Sequence, residues 1–120
     1  MVDDVIVTYF GAWNEKDAER RREMLERCIT PDAELVDPLG RWEGVAGFVD
    51  RIDRYRLAAP GTEVVAASGV DSHNDVVRYA WKIVDADGSE MMEGIDVAQR
   101  SEDGRFSRVL MFHGPFPPSS

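Results

Sequence analysis

"VVRYAWKIVDADGSEMMEGIDVAQRSEDGRFSRVLMFHG", residues 76–114, is the stretch that decides the fold. Its first segment carries a bulky apolar residue at every second position, which is the pattern of a strand that buries one face. The short segments "ADGS" and "SEDG" have the composition of tight hairpin turns. The stretch therefore predicts three antiparallel strands in a meander.

The residues before this meander predict helices. Apolar residues recur at spacings of three and four, as in Val5, Ile6, Tyr9, Phe10 and Trp13, which gives one apolar helix face. The same spacing is found in two later segments. The predicted helices cover residues 3–15, 17–29 and 45–57.

Short extended segments accompany the helices. They are predicted as strands at "AELVD" (33–37), "RWEG" (41–44) and "TEVVAASGV" (62–70), followed by a loop at "DSHND" (71–75). Helices followed by a run of strands imply an α+β fold with the helices packed on one face of a mostly antiparallel sheet. A strongly curved sheet closed by helices leaves a cone-shaped cavity, where we expect a ligand site.

Length and charge limit the kind of protein. With 120 residues the chain fits one domain, 1–120, with a C-terminal tail at about 115–120. The net charge of −9 argues against a nucleic-acid partner. Cys28 is the single cysteine and is expected to be buried, and no segment is typical of a leader peptide or a membrane span. We therefore expect a cytoplasmic protein without a membrane partner.

The sequence offers no metal or cofactor motif. His73 and His113 are the only histidines, and they lie far apart without any metal-ligand spacing. Phosphate-binding glycine loops and nucleophile elbows are also absent from the sequence. We therefore expect no metal and no cofactor, and the chemistry must come from ordinary side chains.

Two aspartates and one tyrosine stand in apolar surroundings. Asp37 ends the segment "ELVDPLG", Asp96 lies within "MMEGIDVAQ", and Tyr9 belongs to the apolar face of the first helix. A buried carboxylate needs a partner or a raised pKa, which is a mark of acid–base sites. Structural roles stay open: Asp37 could open a turn, Asp96 could bond an amide or Arg108, and Tyr9 could be a core aromatic.

Three motifs resemble those of bacterial ketosteroid isomerases. "TYFGAWNEKD" is similar to their first-helix segment, "ELVDPLG" to their Asp-Pro-x-Gly turn, and "GIDVAQRSEDGRFSRV" to a late strand and hairpin. The resemblance covers residues 3–114 or so and implies the broader NTF2-like superfamily, which includes SnoaL-like polyketide cyclases and limonene epoxide hydrolases. It implies an NTF2-like cone.

The resemblance also implies roles for the three polar residues. Asp37 matches the catalytic base, and Tyr9 and Asp96 match the donors that stabilise an enolate oxygen. Asp37 is expected to lie near solvent and stay ionised, whereas Asp96 is expected to stay protonated among apolar neighbours. The expected reaction is cofactor-independent acid–base chemistry on an apolar carbonyl compound.

The sequence also predicts which residues line the pocket, and it is compatible with other functions. The residues predicted to line the pocket and bind the ligand are Trp13, Phe48, Ile52, Tyr79, Trp81, Met92 and Met111. A cyclase and an epoxide hydrolase are alternatives, although the latter would use an Asp-Arg-Asp arrangement and no arginine is expected on the inner face. A third alternative is a non-catalytic module that binds an apolar small molecule. A homodimer through the sheet is also expected.

Overall fold

A computed structural model describes residues 3–119 and shows an α+β domain, as predicted. Its helices are α1 (Asp4–Asn14), α2 (Ala18–Cys28) and α3 (Gly44–Ala58). Its strands are β1 (Ile29–Asp37), β2 (Gly40–Glu43), β3 (Glu63–Ala66), β4 (Asp71–His73), β5 (Val76–Val84), β6 (Glu90–Arg100) and β7 (Phe106–His113). Each of the three predicted helices is confirmed to within about two residues.

All seven strands found within residues 3–119 belong to one sheet. The order is β2-β1-β7-β6-β5-β3, and β4 pairs with β5 beside this path. The predicted meander β5-β6-β7 is confirmed as two antiparallel ladders. The pairing of β1 with β7 is parallel, and it brings the early and late parts of the chain together.

Aspartates cap the first two helices. The carboxylate of Asp3 accepts hydrogen bonds from the amides of Val5 and Ile6 at 3.1 and 3.2 Å, and Asp17 caps α2 in the same way. Such caps satisfy amides that have no partner within the helix. They fix where α1 begins and therefore which of its residues face the sheet.

The core lies between the helices and the concave face of the sheet. Its largest fully buried side chains include Leu25, Leu35, Phe48, Ile52, Phe106 and Val109. On β5 the alternation holds as predicted, because Val77, Tyr79 and Trp81 are buried while Arg78 is exposed. On β6 the same alternation buries Gly94, Asp96 and Ala98.

Three extended regions differ from the prediction. Strand β1 begins at Ile29, before the predicted start, and includes Pro31 at a register shift against β7, where a missing amide donor is tolerated. The predicted loop 71–75 contains β4, which turns back onto β5 through Asn74 in the left-handed conformation. Strand β3 is shorter than predicted and ends at Ala66. Within residues 3–119, no helix has the length and apolar character needed to cross a membrane.

Candidate functional site

A cavity of about 400 Å³ opens between the helices and the concave face of the sheet. This volume lies in the range of pockets for small organic ligands. The wall is largely apolar, and its polar members are Tyr9, Arg51, Arg54, Tyr55, Asp96 and His113. Among the residues predicted to bind a ligand, Trp13, Trp81, Met92 and Met111 line this cavity.

The remaining predicted pocket residues lie elsewhere. Phe48 and Ile52 are fully buried in the core and form no part of the cavity wall. Tyr79 lies behind the wall, with its ring 5.3 Å from that of Phe10. The apolar face of α3 is wider than the cavity, so helical spacing alone does not separate core residues from lining residues.

Asp96 is the carboxyl group on the cavity wall. Only 4% of the residue is exposed, and its carboxyl oxygen accepts a hydrogen bond from the indole N–H of Trp81 at 3.0 Å. Burial raises the pKa of Asp96 to about 7, although the Trp81 donor acts to lower it. The group is therefore able to gain and lose a proton near neutral pH.

Gly94 allows Trp81 to reach Asp96. Trp81 and Gly94 are paired across β5 and β6, and the indole crosses the strand at this position. A Cβ atom on Gly94 would lie 2.2 Å from the indole ring and 2.2 Å from the carbonyl oxygen of Phe112. Because no side chain fits there, only glycine at position 94 lets the indole of Trp81 reach the carboxyl group of Asp96.

Tyr9 lines the same cavity as Asp96 and carries a hydroxyl group. The hydroxyl is buried and has no hydrogen-bonding partner in the described part of the chain. Burial raises the pKa of Tyr9 well above its usual value, the charge of Asp96 raises it further, and Arg51 opposes this. Tyr9 therefore lines the cavity and carries a protonated O–H that is unused and closed to solvent within the described residues.

A second buried hydroxyl lies close to Asp96. Tyr79 is near enough to act on the pKa of Asp96, but the two groups do not meet the geometry of a hydrogen bond, and the Tyr79 hydroxyl is unpaired within residues 3–119. Because Tyr79 does not line the cavity, its hydroxyl is not offered to a ligand there.

Asp37 does not line the cavity and forms an ion pair with Arg51, which does. One carboxylate oxygen accepts from Arg51 Nε at 2.6 Å, and the other accepts from the amide of Leu39 at 2.9 Å. The Asp37 side chain is 0% exposed, so the expectation that it lies near solvent is wrong. The turn role is confirmed, since Asp37 pairs with Gly40 at the hairpin between β1 and β2.

Arg51 is a cavity-lining residue that sequence reasoning missed. Its side chain is 7% exposed, it lines the cavity, and its guanidinium carbon lies 5.4 Å and 5.5 Å from the ring centroids of Trp13 and Trp42. The expectation of no arginine on the inner face is therefore wrong. The signal was present, because position 51 lies three residues after Phe48 and four before Tyr55 on the inward stripe of α3.

His113 and Arg54 complete the polar part of the wall. The His113 ring packs edge-on against Trp81 with centroids 5.7 Å apart, and partial burial lowers its pKa. Arg54 is exposed and lies one turn along α3 from Arg51. No group of three or more histidine, cysteine, aspartate or glutamate side chains suited to a metal ion occurs among the described residues.

The fold and the cavity together define a class. Helices packed on a curved, mostly antiparallel sheet around a largely apolar cavity are the NTF2-like arrangement predicted from the sequence. The family model described as the SnoaL-like domain matches residues 6–109, and the chain belongs to this family. A comparison with curated proteins gives no match.

Solved structures agree with this assignment. A SnoaL-like family protein from Agrobacterium tumefaciens, provisionally named an isomerase, is 33% identical, with 92% of this chain and 95% of that chain covered and a TM-score of 0.87. A protein from Sinorhizobium meliloti, provisionally named a polyketide cyclase, is 20% identical over 92% of this chain and 94% of that chain, with a TM-score of 0.71. A cystatin-like fold from Nostoc punctiforme is 10% identical over 95% of this chain and 89% of that chain, with a TM-score of 0.70. The last two show the shared fold alone.

Proposed function

We propose that the protein is a cofactor-independent acid–base enzyme that moves a proton on an apolar carbonyl compound. One observation carries the proposal: Tyr9, whose hydroxyl has no hydrogen-bonding partner in the described chain, and Asp96, whose carboxyl group has a pKa of about 7, line the same apolar cavity. Proton transfer next to a carbonyl needs a base for the C–H and a donor for the enolate oxygen. The name of the Agrobacterium protein supports an isomerase more than any other reaction.

Asp96 acts as the base in this proposal. Its ionised carboxylate takes a proton from the carbon beside the substrate carbonyl, and the electron pair moves onto the carbonyl oxygen. Tyr9 donates its O–H to that oxygen while the charge develops. Asp96 then returns the proton to another carbon of the same substrate. A pKa near the working pH suits a group that must both accept and deliver a proton.

Asp37 receives a different role from the one that the resemblance to ketosteroid isomerase implies. Its carboxylate accepts hydrogen bonds from Arg51 and from an amide, and it does not line the cavity. We therefore assign Asp37 as a positioning residue that holds Arg51 against the wall. In the competing assignment, Asp37 is the base and neutral Asp96 donates a hydrogen bond. The pH dependence of the rate distinguishes this assignment from the one in which Asp96 is the base.

Exchange of α-protons in D₂O tests the proposal before any natural substrate is known. The measurement follows deuterium uptake into 2-tetralone by NMR, against the rate in buffer. We expect Asp96→Asn to lower the enzymatic rate by about 10²–10⁴. We expect Asp37→Asn to have a smaller effect, and the reverse order of the two effects would assign the base to Asp37.

The pH profile of the same exchange reports the protonation state of Asp96. If Asp96 is the base, the rate rises with pH through about 7, because the ionised form does the work. A rate that falls through the same range would show that Asp96 works as a neutral donor. If 2-tetralone and related apolar ketones gain deuterium no faster than in buffer, the non-catalytic binding module becomes the better reading.

Epoxide hydrolysis is the second candidate, and Arg51 favours it. The sequence predicts no arginine on the inner face, which counts against an Asp-Arg-Asp arrangement. In the structure, Arg51 and Asp96 both line the cavity, and Arg51 is paired with Asp37. In such a reaction Asp96 would deprotonate a water that opens the epoxide. Incubation of an apolar epoxide in ¹⁸O-water, with detection of labelled diol, tests this reaction.

We also propose a homodimer through the convex face of the sheet. Apolar side chains stand on this face, and Phe112 is 60% exposed while Ile95, Val97 and Leu110 are partly exposed. Covering such residues is a common reason for self-association. Sedimentation at micromolar concentration tests the proposal, and a monomer for the wild type would refute it.

A further inference from the structure

We propose that Arg51 binds a carboxylate of the substrate, so that the site selects an apolar keto acid over a neutral ketone. This inference rests on the proposed function for the position of the ketone, at Tyr9 and Asp96. The carboxylate site itself rests on the surroundings of Arg51. The two parts can therefore fail separately.

The guanidinium of Arg51 has unused donors. Guanidinium carries five N–H groups in a planar fork, and Asp37 takes one of them, from Nε. The two terminal nitrogens make no hydrogen bond within residues 3–119. Unlike the hydroxyls of Tyr9 and Tyr79, they are not among the unpaired polar atoms sealed from solvent. Since Arg51 lines the cavity, these donors are available to a ligand.

The cation is fixed before a ligand arrives. Asp37 holds Nε, while the rings of Trp13 and Trp42 each lie within cation–π distance of the guanidinium. Only 7% of the Arg51 side chain is exposed. A planar fork that is already oriented matches the two oxygens of a carboxylate, and little side-chain entropy is lost on binding.

The charges around the site favour one additional anion. The Asp37–Arg51 pair is neutral as a unit, and Arg54 adds a positive charge on the same wall. Asp96 opposes an anion only when it is ionised, and Tyr9 and His113 are further titratable groups on the wall. The net charge of −9 repels anions at long range, so any preference for a carboxylate must arise within the cavity.

The positions of the polar groups suggest how one ligand would lie. Arg51, Tyr9 and Asp96 line the same cavity of about 400 Å³. One small molecule can therefore place its carbonyl at Tyr9 and its carboxylate at Arg51. Phe10, Trp13 and Met111 on the wall would cover the apolar body between them. The substrate class that fits is an aromatic or alicyclic keto acid.

Equilibrium binding of matched probes tests the carboxylate site without any turnover. The probes are 2-naphthoate and 2-naphthamide, which share a shape but differ in charge and have no exchangeable α-proton. Isothermal titration at pH 6 is expected to show about tenfold or more tighter binding of the carboxylate. Equal affinity of the two probes, including no binding of either at millimolar concentration, would overturn the proposal.

Variants locate the preference within the site. Because removing Arg51 alone leaves Asp37 buried without a partner, the variant is the double change Arg51→Met with Asp37→Leu. Its folding is checked by circular dichroism, and its preference for the carboxylate is expected to vanish. Arg22→Gln removes an exposed charge away from the cavity and should leave the preference unchanged. Loss of the preference in Arg54→Gln but not in the double variant would place the carboxylate at the cavity mouth and overturn the assignment to Arg51.

The experiments distinguish a failure of the carboxylate site from a failure of the proposed reaction. Deuterium exchange that requires Asp96, together with equal binding of the two probes, would keep the acid–base function and remove the carboxylate. A carboxylate preference that requires Arg51, with no exchange in any ketone, would keep the binding site and remove the reaction.

Discussion

The two buried aspartates differ in one respect, which is the presence of a cation. Asp37 and Asp96 are 8% and 4% exposed, so both carboxyl groups have lost nearly all contact with water. Asp37 faces Arg51, which carries a full positive charge, whereas Asp96 receives only the N–H of Trp81. A neutral donor does not offset the loss of hydration, and the pKa of Asp96 rises to about 7. The charge of the neighbouring group, rather than the degree of burial, therefore distinguishes the two carboxyl groups.

Loss of Arg51 is expected to have the largest effect on stability. Arg51→Met leaves the carboxylate of Asp37 buried without its counter-ion, which should lower the free energy of unfolding by about 3–5 kcal/mol. Urea denaturation followed by tryptophan fluorescence measures the change. The double variant Arg51→Met with Asp37→Leu is expected to recover most of the loss. If the single variant is as stable as the wild type, water reaches Asp37, and the ion pair with Arg51 is not needed to keep this carboxylate in the folded structure.

The pH dependence of stability should come from Asp96. Between its ordinary pKa of 3.8 and about 7, the folded state keeps a proton that the unfolded state has lost, so stability falls as pH rises across this window. The total is about 4 kcal/mol at about 1.36 kcal/mol per pKa unit, and it is fully reached only above pH 7. Burial of the charged form is the physical cause.

Asp96→Asn is the matched variant for this measurement. The amide oxygen can still accept from Trp81, but the side chain no longer ionises. Denaturation of both proteins from pH 4.5 to 8 should show stabilities that diverge with rising pH, with the variant the more stable at pH 8. Parallel curves would mean that Asp96 has an ordinary pKa, and the assignment of Asp96 as the base would lose its support.

Gly94→Ala is expected to disturb Asp96 through Trp81. The new Cβ would lie 2.2 Å from the indole ring and from the carbonyl oxygen of Phe112, so the ring or the strand must move. Overpacking of this kind lowers stability by about 1–3 kcal/mol. The midpoint of the pH–rate profile should also rise, because the lost N–H donor had lowered the pKa of Asp96. Gly61→Ala, where a Cβ meets no atom within 4 Å, tests the effect of an alanine in an open turn, although its positive φ adds backbone strain.

The sequence predicts the fold more completely than the site. Alternation on β5 and β6 places Trp81 and Asp96 on the inner face, because a strand offers only two faces. A helix face is less decisive, so α3 gives no means of separating Phe48 in the core from Arg51 on the cavity wall. The pairing of Arg51 with Asp37 crosses from α3 to the end of β1 and depends on tertiary packing. Local sequence patterns do not contain that contact, so the sequence predicts Asp37 near solvent, whereas the structure buries it against Arg51.

Tyr79→Phe is expected to have the smallest effect, and it tests whether burial sets the pKa of Asp96. The Tyr79 hydroxyl is buried and has no hydrogen-bonding partner in the described chain. The substitution therefore removes a polar group that has lost its hydrogen bonds to water and has gained none in the protein. Stability should stay within about 1 kcal/mol of the wild type or rise slightly. The midpoint of the pH–rate profile should stay in place if burial and Trp81 dominate. A clear upward move would show that Tyr79 donates a hydrogen bond to Asp96 in solution, and Asp96 would then depend on two donors, still without the cation that distinguishes Asp37.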